Sequence, residues 1–339
     1  MPSRPTAVTD ANAETAPLLR VRNLKVHFPV RSRGLWKNRT PLKVKAVDGI
    51  DLDLEQGETL GIVGESGCGK STLARGILRL LPLTQGTVDW MGTPISSLSS
   101  GQMTDYRRQM QIIFQDPLAS LDPRMTVGDI IAEPLTVHRP EMSKTERKQA
   151  VADMMDQVGL LPLMINRYPH EFSGGQCQRI GVARAMILKP RLIICDEPVS
   201  ALDVSIQGQI INLIMALQNT YRLSLMFISH DLSVVRHISH RIMVLYLGNT
   251  MEIADRESIY TDPKHPYTQA LISAVPIPDP EIEKNKTRIV LKGDLPSPLE
   301  PPSGCVFRTR CPKAQEICRH EKPRLEKISP THWSACHFN

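Results

Sequence analysis

The sequence has no long apolar run, and none of its apolar stretches approaches the ~18 residues that a membrane-spanning helix needs. Its first residues, MPSRPTAVTDANAETAP, lack the apolar core of a secretory signal peptide. We therefore expect a cytosolic protein whose role at a membrane, if it has one, depends on a partner. A net charge of +6 spread over 339 residues also lacks the density of a dedicated nucleic-acid surface.

Cysteine is scarce except near the carboxyl end. Of the seven cysteines, three are isolated within motifs and the other four lie close together in the sequence: Cys305, Cys311, Cys318 and Cys336. In a reducing cytosol such a cluster is expected to bind metal rather than to form disulfides. Four thiolates suffice for a 4Fe–4S cluster or a zinc site, and the spacing matches neither the ferredoxin patterns nor the short zinc-ligand spacing. The residues alone leave both metals open.

The most informative motif is a phosphate-binding loop. Residues 64–71, GESGCGKS, fit the P-loop pattern G-x-x-x-x-G-K-[ST]. The apolar segment Thr59–Val63 before it predicts a buried strand, and Ser71–Leu80 after it predicts a helix. In that context, backbone N–H groups at the helix N-terminus would bind phosphates, Lys70 would reach the β- and γ-phosphates, and the Ser71 hydroxyl would hold Mg²⁺. A glycine-rich turn that binds nothing is the alternative.

Apolar strands and helices alternate across residues 59–247, which predicts an α/β fold with a mostly parallel sheet. The later strands of this sheet are expected at Gln111–Gln115, Leu192–Cys195, Leu223–Ile228 and Arg241–Leu247. Alternation at Leu18–Phe28 and Val44–Leu54, with a short strand at Gly86–Trp90, predicts a small antiparallel sheet beside that core.

Between these strands, residues 126–170 are predicted to be helical. Ser143 and Glu146 form a capping-box pattern, and four apolar residues follow at helical spacing: Val151, Met154, Met155 and Val158. The methionines are interpreted as core residues rather than as a ligand site. We expect a helical subdomain at about residues 116–185.

The ends of the chain differ in composition from its middle. Residues 1–17 are predicted to be a disordered tail, and residues 29–42 a loop or insertion. Residues 18–260 are expected to form the nucleotide-binding domain. The proline-rich remainder, 261–339, is expected to form a separate region with the cysteine cluster.

Two further motifs point to phosphate chemistry. Ser173-Gly174-Gly175-Gln176 opens a predicted helix, which would make a second anion site. Asp196 and Glu197 end a continuous apolar strand, and His230 follows the next one. That carboxyl edge is where ligands bind in open α/β sheets.

Together these motifs resemble the ATP-binding subunit of an ABC transporter. They occur in the family's order, which is the P-loop, Gln115, the Ser173–Gln176 signature, Asp196-Glu197, the segment ending in Asp203, and His230. The segments QDPLASLDPR, INRYPHEFSGGQCQRIGVARA, DEPVSALDVS and HPYTQAL, with the final cysteines, are similar to oligopeptide/dipeptide permeases and most similar to their second ATP-binding subunit. Phe172 and Cys177 stand where the family commonly has leucine and a charged or amide residue.

The resemblance implies a site shared by two ATP-binding subunits, with ATP between the P-loop of one and the signature of the other. It implies that Glu197 polarises the attacking water, that His230 contacts the γ-phosphate, and that Asp196 supports Mg²⁺. Gln115 would sense Mg²⁺ and water and link to the membrane subunits. The nucleotide contacts it implies are Phe28, stacking on adenine, with Gly64, Glu65, Ser66, Gly67, Cys68, Gly69, Lys70, Ser71, Thr72, Gln115, Asp196, Ser173, Gly174, Gly175, Gln176 and Asp203.

The resemblance further implies hydrolysis of ATP coupled to uptake of peptides. The partners would be a second ATP-binding subunit in a heterodimer, two transmembrane permease subunits and a peptide-binding protein, with the chain peripheral on the cytoplasmic face of the inner membrane. Related ATPases carry a 4Fe–4S cluster at such cysteines, so the resemblance favours iron–sulfur over zinc. The alternative is a non-transport ABC ATPase acting on nucleic acid or the ribosome. Members of that kind have a long coiled coil or two cassettes, and this chain has neither.

Overall fold

The computed structural model of the chain describes residues 16–30, 42–276 and 279–339. The predicted disordered tail, apart from its last two residues, and most of the 29–42 insertion therefore lie outside the described residues. In the described part, the strands are β1 (Leu19–Pro29), β2 (Lys43–Leu54), β3 (Thr59–Val63), β4 (Gln85–Trp90), β5 (Thr93–Pro94), β6 (Met110–Ile113), β7 (Leu192–Asp196), β8 (Ser224–Ile228), β9 (Arg241–Tyr246), β10 (Asn249–Asp255), β11 (Glu326–Ser329) and β12 (His332–Ser334).

The α-helices of the same ranges fall between and after these strands. They are α1 (Lys70–Ile77), α2 (Ser100–Arg107), α3 (Val127–His138), α4 (Lys144–Gln157), α5 (Gly174–Met186), α6 (Val204–Tyr221), α7 (Leu232–Ile238), α8 (Arg256–Thr261), α9 (Pro266–Ser273), α10 (Pro280–Asn285) and α11 (Ile317–His320). Among the described residues, no helix is both long enough and apolar enough to span a bilayer.

The strands form two sheets, which correspond to the mostly parallel sheet and the small antiparallel sheet predicted from the sequence. The smaller sheet is antiparallel, in the order β2-β1-β4-β5, and the larger has the order β11-β12-β10-β9-β3-β8-β7-β6. Within the larger sheet, β9, β3, β8, β7 and β6 run parallel to one another. Every residue of β3, β7 and β8 is buried, as expected for parallel strands covered on both faces. The predicted fold class is confirmed.

A group of helices lies between β6 and β7 in the chain. The predicted capping box at the start of α4 is present, because the Ser143 hydroxyl accepts from the Glu146 N–H and the Glu146 carboxylate accepts from the Ser143 N–H. The predicted apolar face is also in the core: Val151, Met154, Met155 and Val158 are buried. Burial of this face anchors α4 in the helical group. The same group contains α5, which begins at the Ser173–Gln176 signature.

The carboxyl-terminal region is joined to the main sheet. Strand β12 pairs with β10, so the last residues of the chain extend the sheet that begins at β3. The fully buried carboxylate of Glu252 on β10 lies 2.6 Å from His332 Nε2. It also accepts the backbone N–H groups of Lys264 and His265, at 2.7 and 3.0 Å. Because a buried carboxylate is costly without partners, Glu252 fixes both the start of α9 and the final strand.

Candidate functional site

The P-loop lies between β3 and α1, with Ser66 and Gly67 exposed at its tip. Gly69 is the N-cap of α1, with a φ of 105°. A Cβ on Gly69 would be 2.0 Å from the Ala46 carbonyl oxygen of β2, so no larger residue fits there. The Cys68 carbonyl accepts from Gly248 N at 2.8 Å, which ties the loop to the β9–β10 turn. Burial raises the pKa of the Cys68 thiol, and this side chain packs inside the loop.

Lys70 points back into the loop that precedes it. Its Nζ donates to the carbonyl oxygens of Gly64 and Glu65, at 2.9 and 3.2 Å. The same Nζ is 3.5 Å from Glu197 Oε1, and the Lys70 side chain is only 4% exposed. A triphosphate in the loop would therefore meet a cation that is already positioned and largely desolvated.

Two of the predicted catalytic residues, Gln115 and His230, contact the carboxylate of the third, Glu197. Gln115 Nε2 donates to Glu197 Oε2 at 3.1 Å, and His230 Nδ1 lies 3.2 Å from the same oxygen. Glu197 has a left-handed φ of 49°, which is costly for a residue with a Cβ. Its backbone N–H donates to the Ile228 carbonyl of β8, so the neighbouring strand holds this conformation. Backbone strain maintained in this way is typical of functional positions.

Ser71 and Asp196 provide the oxygen pair that the sequence assigns to Mg²⁺. Ser71 Oγ donates to Asp196 Oδ1 at 2.7 Å, and Asp196 is 1% exposed. Burial raises the pKa of Asp196, and the hydrogen bond from Ser71 opposes that rise. A hydroxyl and a carboxylate beside a phosphate loop are the ligand types that Mg²⁺ prefers, so these two residues fit the ion.

Three other residues are predicted to contact the nucleotide: Thr72, Phe28 and Asp203. In the described part of the chain, their side chains make no hydrogen bond or ion pair with Lys70, Asp196 or Glu197. Thr72 is half-buried on α1, next to Ser71. Phe28 is 38% exposed on β1, where it pairs with Val44 at the edge of the undescribed 31–41 segment. Asp203 is the exposed N-cap of α6 and makes no side-chain capping hydrogen bond.

The Ser173–Gln176 signature forms the start of α5. Ser173 and Gln176 cap the helix reciprocally, with Gln176 N to Ser173 Oγ at 3.3 Å and Ser173 N to Gln176 Oε1 at 2.9 Å. A Cβ on Gly175 would be 2.6 Å from Ile206 Cγ2, so α6 approaches too closely for any other residue. In the described part of the chain, no hydrogen bond or ion pair joins the signature to the P-loop. The structure does not bring these two motifs together.

The four carboxyl-terminal cysteines lie near one another as free thiols. Cys305 N donates to the Cys318 carbonyl at 2.9 Å. Burial, with a smaller contribution from the other three thiols, raises the pKa of Cys305 to about 11. Among the described residues, however, no group of three or more His, Cys, Asp or Glu side chains is arranged to hold a metal ion.

Two residues that contact the P-loop were not anticipated from the sequence. Arg310 Nη1 lies 2.7 Å from Glu65 Oε2, and the Tyr267 hydroxyl accepts from the Glu65 N–H at 3.0 Å. They lie 245 and 202 positions along the chain from Glu65. The sequence offers no local signal for Arg310. Tyr267 lies in the segment HPYTQAL, whose resemblance to the permease family gives no indication of this contact.

Comparison with known protein families gives two matches. A profile described as "ABC transporter" matches residues 47–200, and one described as "Oligopeptide/dipeptide transporter, C-terminal region" matches residues 251–318. The first match contains the P-loop, the signature and Glu197. The second contains Tyr267, Arg310 and three of the four clustered cysteines.

Individual relatives cover almost the whole chain. The Oligopeptide transport ATP-binding protein OppF of Escherichia coli is 59% identical over 91% of this chain and 92% of its own length. The protein of the same name from Haemophilus influenzae is 56% identical over 94% of this chain and 96% of its own. Among solved structures, the ATP-binding cassette MJ0796, a dimer bound to ADP and phosphate, matches with a TM-score of 0.62 and 27% identity. That match covers 70% of this chain and 98% of the other.

Proposed function

This chain belongs to the ATP-binding subunits of oligopeptide ABC transporters, and we propose that the residues around Glu197 hydrolyse the ATP that drives peptide uptake. The observation that supports this site is the convergence of Lys70, Gln115 and His230 on one carboxylate. Lys70 lies on α1, and Gln115, Glu197 and His230 follow β6, β7 and β8. The carboxyl ends of these parallel strands lie at one edge of the sheet, so the residues after them lie close together.

In the proposed reaction, the P-loop binds the triphosphate and Lys70 neutralises charge on its β- and γ-phosphates. The Glu197 carboxylate orients a water for attack on the γ-phosphorus and accepts a hydrogen bond from it. His230 and Gln115 hold Glu197 and the water in line. As the water oxygen bonds to the γ-phosphorus, the bond between that phosphorus and the β–γ bridging oxygen breaks and ADP leaves. The proton of the water passes by way of the Glu197 carboxylate to the phosphate that is released. Mg²⁺, held by Ser71 and Asp196, would supply charge neutralisation on the phosphates.

We propose that the second half of each ATP site comes from another chain. At the start of α5, the N–H groups of Gly174 and Gly175 have no hydrogen-bond partner among the described residues, and the signature makes no described hydrogen bond to its own P-loop. The MJ0796 cassette, 27% identical, forms a dimer with ADP and phosphate bound. An analogous pairing here would use a second ATP-binding subunit as partner. ATP binding would then close the pair, and hydrolysis would open it.

As a subunit of an oligopeptide ABC importer, the chain has permease partners. We propose that these are two transmembrane subunits, that a peptide-binding protein delivers the substrate, and that the chain is peripheral on the inner face of the cytoplasmic membrane. In this arrangement the permease subunits would form the membrane path.

The test is coexpression with the two permease subunits, the second ATP-binding subunit and the binding protein encoded in the same organism. We expect the chain to copurify with the permeases. We also expect peptide-loaded binding protein to raise ATP hydrolysis by the reconstituted complex several-fold. Copurification with nucleic acid or ribosomes instead, with no response to peptide, would contradict the transport function and support the alternative.

We propose further that Cys305, Cys311, Cys318 and Cys336 hold a 4Fe–4S cluster. Four cysteine thiols of one short region, close enough to raise the pKa of Cys305, are a donor set that fits iron–sulfur chemistry. Such a cluster would supply a structural crosslink for a region of irregular backbone. A rearrangement of the thiols from the positions described here is part of this proposal, because those positions form no metal-binding group.

Anaerobic purification of the full chain tests the cluster. We expect a brown protein that contains iron and acid-labile sulfide, and we expect Cys318→Ser to lose both. Cys177→Ser is the matched control, because Cys177 is equally a free, buried thiol but lies in the core of the helical group. Stoichiometric zinc without sulfide, or protein with neither metal, would overturn the proposal.

A further inference from the structure

Two residues of the carboxyl-terminal region contact the P-loop, and both contact the same residue, Glu65. Its carboxylate is paired with Arg310 at 2.7 Å. Its backbone N–H donates to the Tyr267 hydroxyl at 3.0 Å, and its carbonyl accepts from Lys70 Nζ at 3.2 Å. The same carbonyl also accepts from Cys68 N at 3.2 Å. Two of these four partners come from the carboxyl-terminal region, and a third is the lysine that would bind phosphate.

Arg310 is itself held in place by an aromatic cluster. Phe307 is fully buried and packs on Tyr246 and Tyr267, with ring centroids 5.2 and 5.3 Å away. The Phe307 carbonyl accepts from Arg310 N at 3.0 Å, so this buried ring anchors the turn that carries the arginine. The guanidinium carbon lies 6.0 Å from the centre of the Tyr246 ring. Arg310 thus reaches Glu65 from a rigid base rather than from a flexible surface loop.

The environment of the pair makes it stronger than a surface ion pair. The Arg310 side chain is 11% exposed and that of Glu65 is 28% exposed, so water screens the two charges only partly. Burial has the largest single effect and lowers the pKa of Arg310, but the interactions with Glu65 and Tyr246 together outweigh it and the pKa is raised. Loss of either partner would leave a charge in a partly desolvated position.

We propose that Arg310 is a positioning residue for Lys70, acting through Glu65, so that the carboxyl-terminal region sets the affinity of the P-loop for ATP. The inference rests on the proposed function, since it requires this loop to be the ATP site. Arg310 fixes the Glu65 side chain and Tyr267 fixes its N–H. The Glu65 carbonyl, held between them, then directs the Lys70 ammonium toward the position of the β- and γ-phosphates.

The experiment measures the dissociation constant of a fluorescent ATP analogue with Mg²⁺, on the full chain and on four variants. Arg310→Ala is expected to weaken binding about tenfold, and Arg310→Lys to restore most of the loss because an ammonium can still pair with Glu65. Glu65→Ala should weaken binding to a similar extent. The double variant should be no weaker than either single one, because both remove the same interaction.

Arg319→Ala is the matched control, since Arg319 lies in the same region, its side chain is 65% exposed, and its ion-pair partner among the described residues is exposed Glu316. It should bind as the unsubstituted chain does. Melting temperatures are recorded for every variant. Additive losses in the double variant, or a lower melting temperature with unchanged ATP affinity, would overturn the inference and leave Arg310 a structural residue. Failure of the unsubstituted chain to bind ATP would instead overturn the proposed function, and the inference with it.

Discussion

Replacing Glu197 with glutamine is expected to slow ATP hydrolysis by the assembled transporter about 10³-fold while ATP still binds, because catalysis by a positioned base contributes ~10²–10⁴-fold. Glutamine has nearly the same shape as glutamate, so its contacts with Gln115 and His230 can persist. What is lost is the negative charge that polarises the attacking water. The uncharged side chain should also repel the triphosphate less, so binding is expected to be retained or tightened.

The geometry explains why no neighbour can replace Glu197. Asp196 is the nearest carboxylate in sequence, but it is 1% exposed and occupied by the Ser71 hydroxyl. Gln115 and His230 are directed at Glu197 Oε2 and have no negative charge of their own in this role. Glu197 is thus the single carboxylate among the contacts described around Lys70 that faces the position of the water.

Steady-state phosphate release and equilibrium ATP binding, measured on the same preparation, check this prediction. Glu281→Gln provides the control, because the Glu281 side chain is 83% exposed on α10 and, among the described residues, pairs with exposed Lys284. Turnover within about threefold of the unsubstituted complex would show that another group activates the water and would remove Glu197 from that role.

Replacing Lys70 with alanine is expected to weaken ATP binding about 100-fold, and hydrolysis should become undetectable at ordinary ATP concentrations. A charge-assisted hydrogen bond contributes ~1.5–3 kcal/mol, and Lys70 would make such bonds to two phosphates. The substitution has a second effect. Lys70 Nζ lies 3.5 Å from Glu197 Oε1, so its removal leaves that carboxylate uncompensated beside an incoming triphosphate.

Equilibrium binding of ATP with Mg²⁺ to the full chain measures this effect, with melting temperature as the test of folding. Lys284→Ala is a suitable comparison, since it removes a lysine that is 73% exposed and whose partner in the described part of the chain is Glu281. If Lys70→Ala bound ATP within threefold of the unsubstituted chain, the P-loop would not be the phosphate site.

Much of the site was predictable because most of its residues directly follow strands of the main sheet. The continuous apolar runs at Thr59–Val63 and Leu192–Cys195 identify buried parallel strands, and the residues that follow such strands meet at one edge of the sheet. Local chemistry also predicted the cap at Ser143, since a capping box involves only residues three apart. These features depend on short-range rules, which a sequence displays directly.

The carboxyl-terminal region was less accessible to such reasoning. Its strand β12 is three residues long and joins the main sheet through β10, a pairing that no local pattern indicates. The contact of Arg310 with Glu65 depends on how Phe307 packs against Tyr246 and Tyr267. Tertiary packing of this kind decides the partner of a charged residue, and a single sequence does not specify it.

The pairing of β12 with β10 and of Arg310 with Glu65 has a consequence for the timing of assembly. During synthesis the P-loop leaves the ribosome about 245 residues before Arg310 does. Until the carboxyl-terminal region has emerged and folded, the chain would display the ATP motifs without the residues that contact Glu65. Under the proposed role of Arg310, full nucleotide affinity would then arise only after that region has folded onto the P-loop.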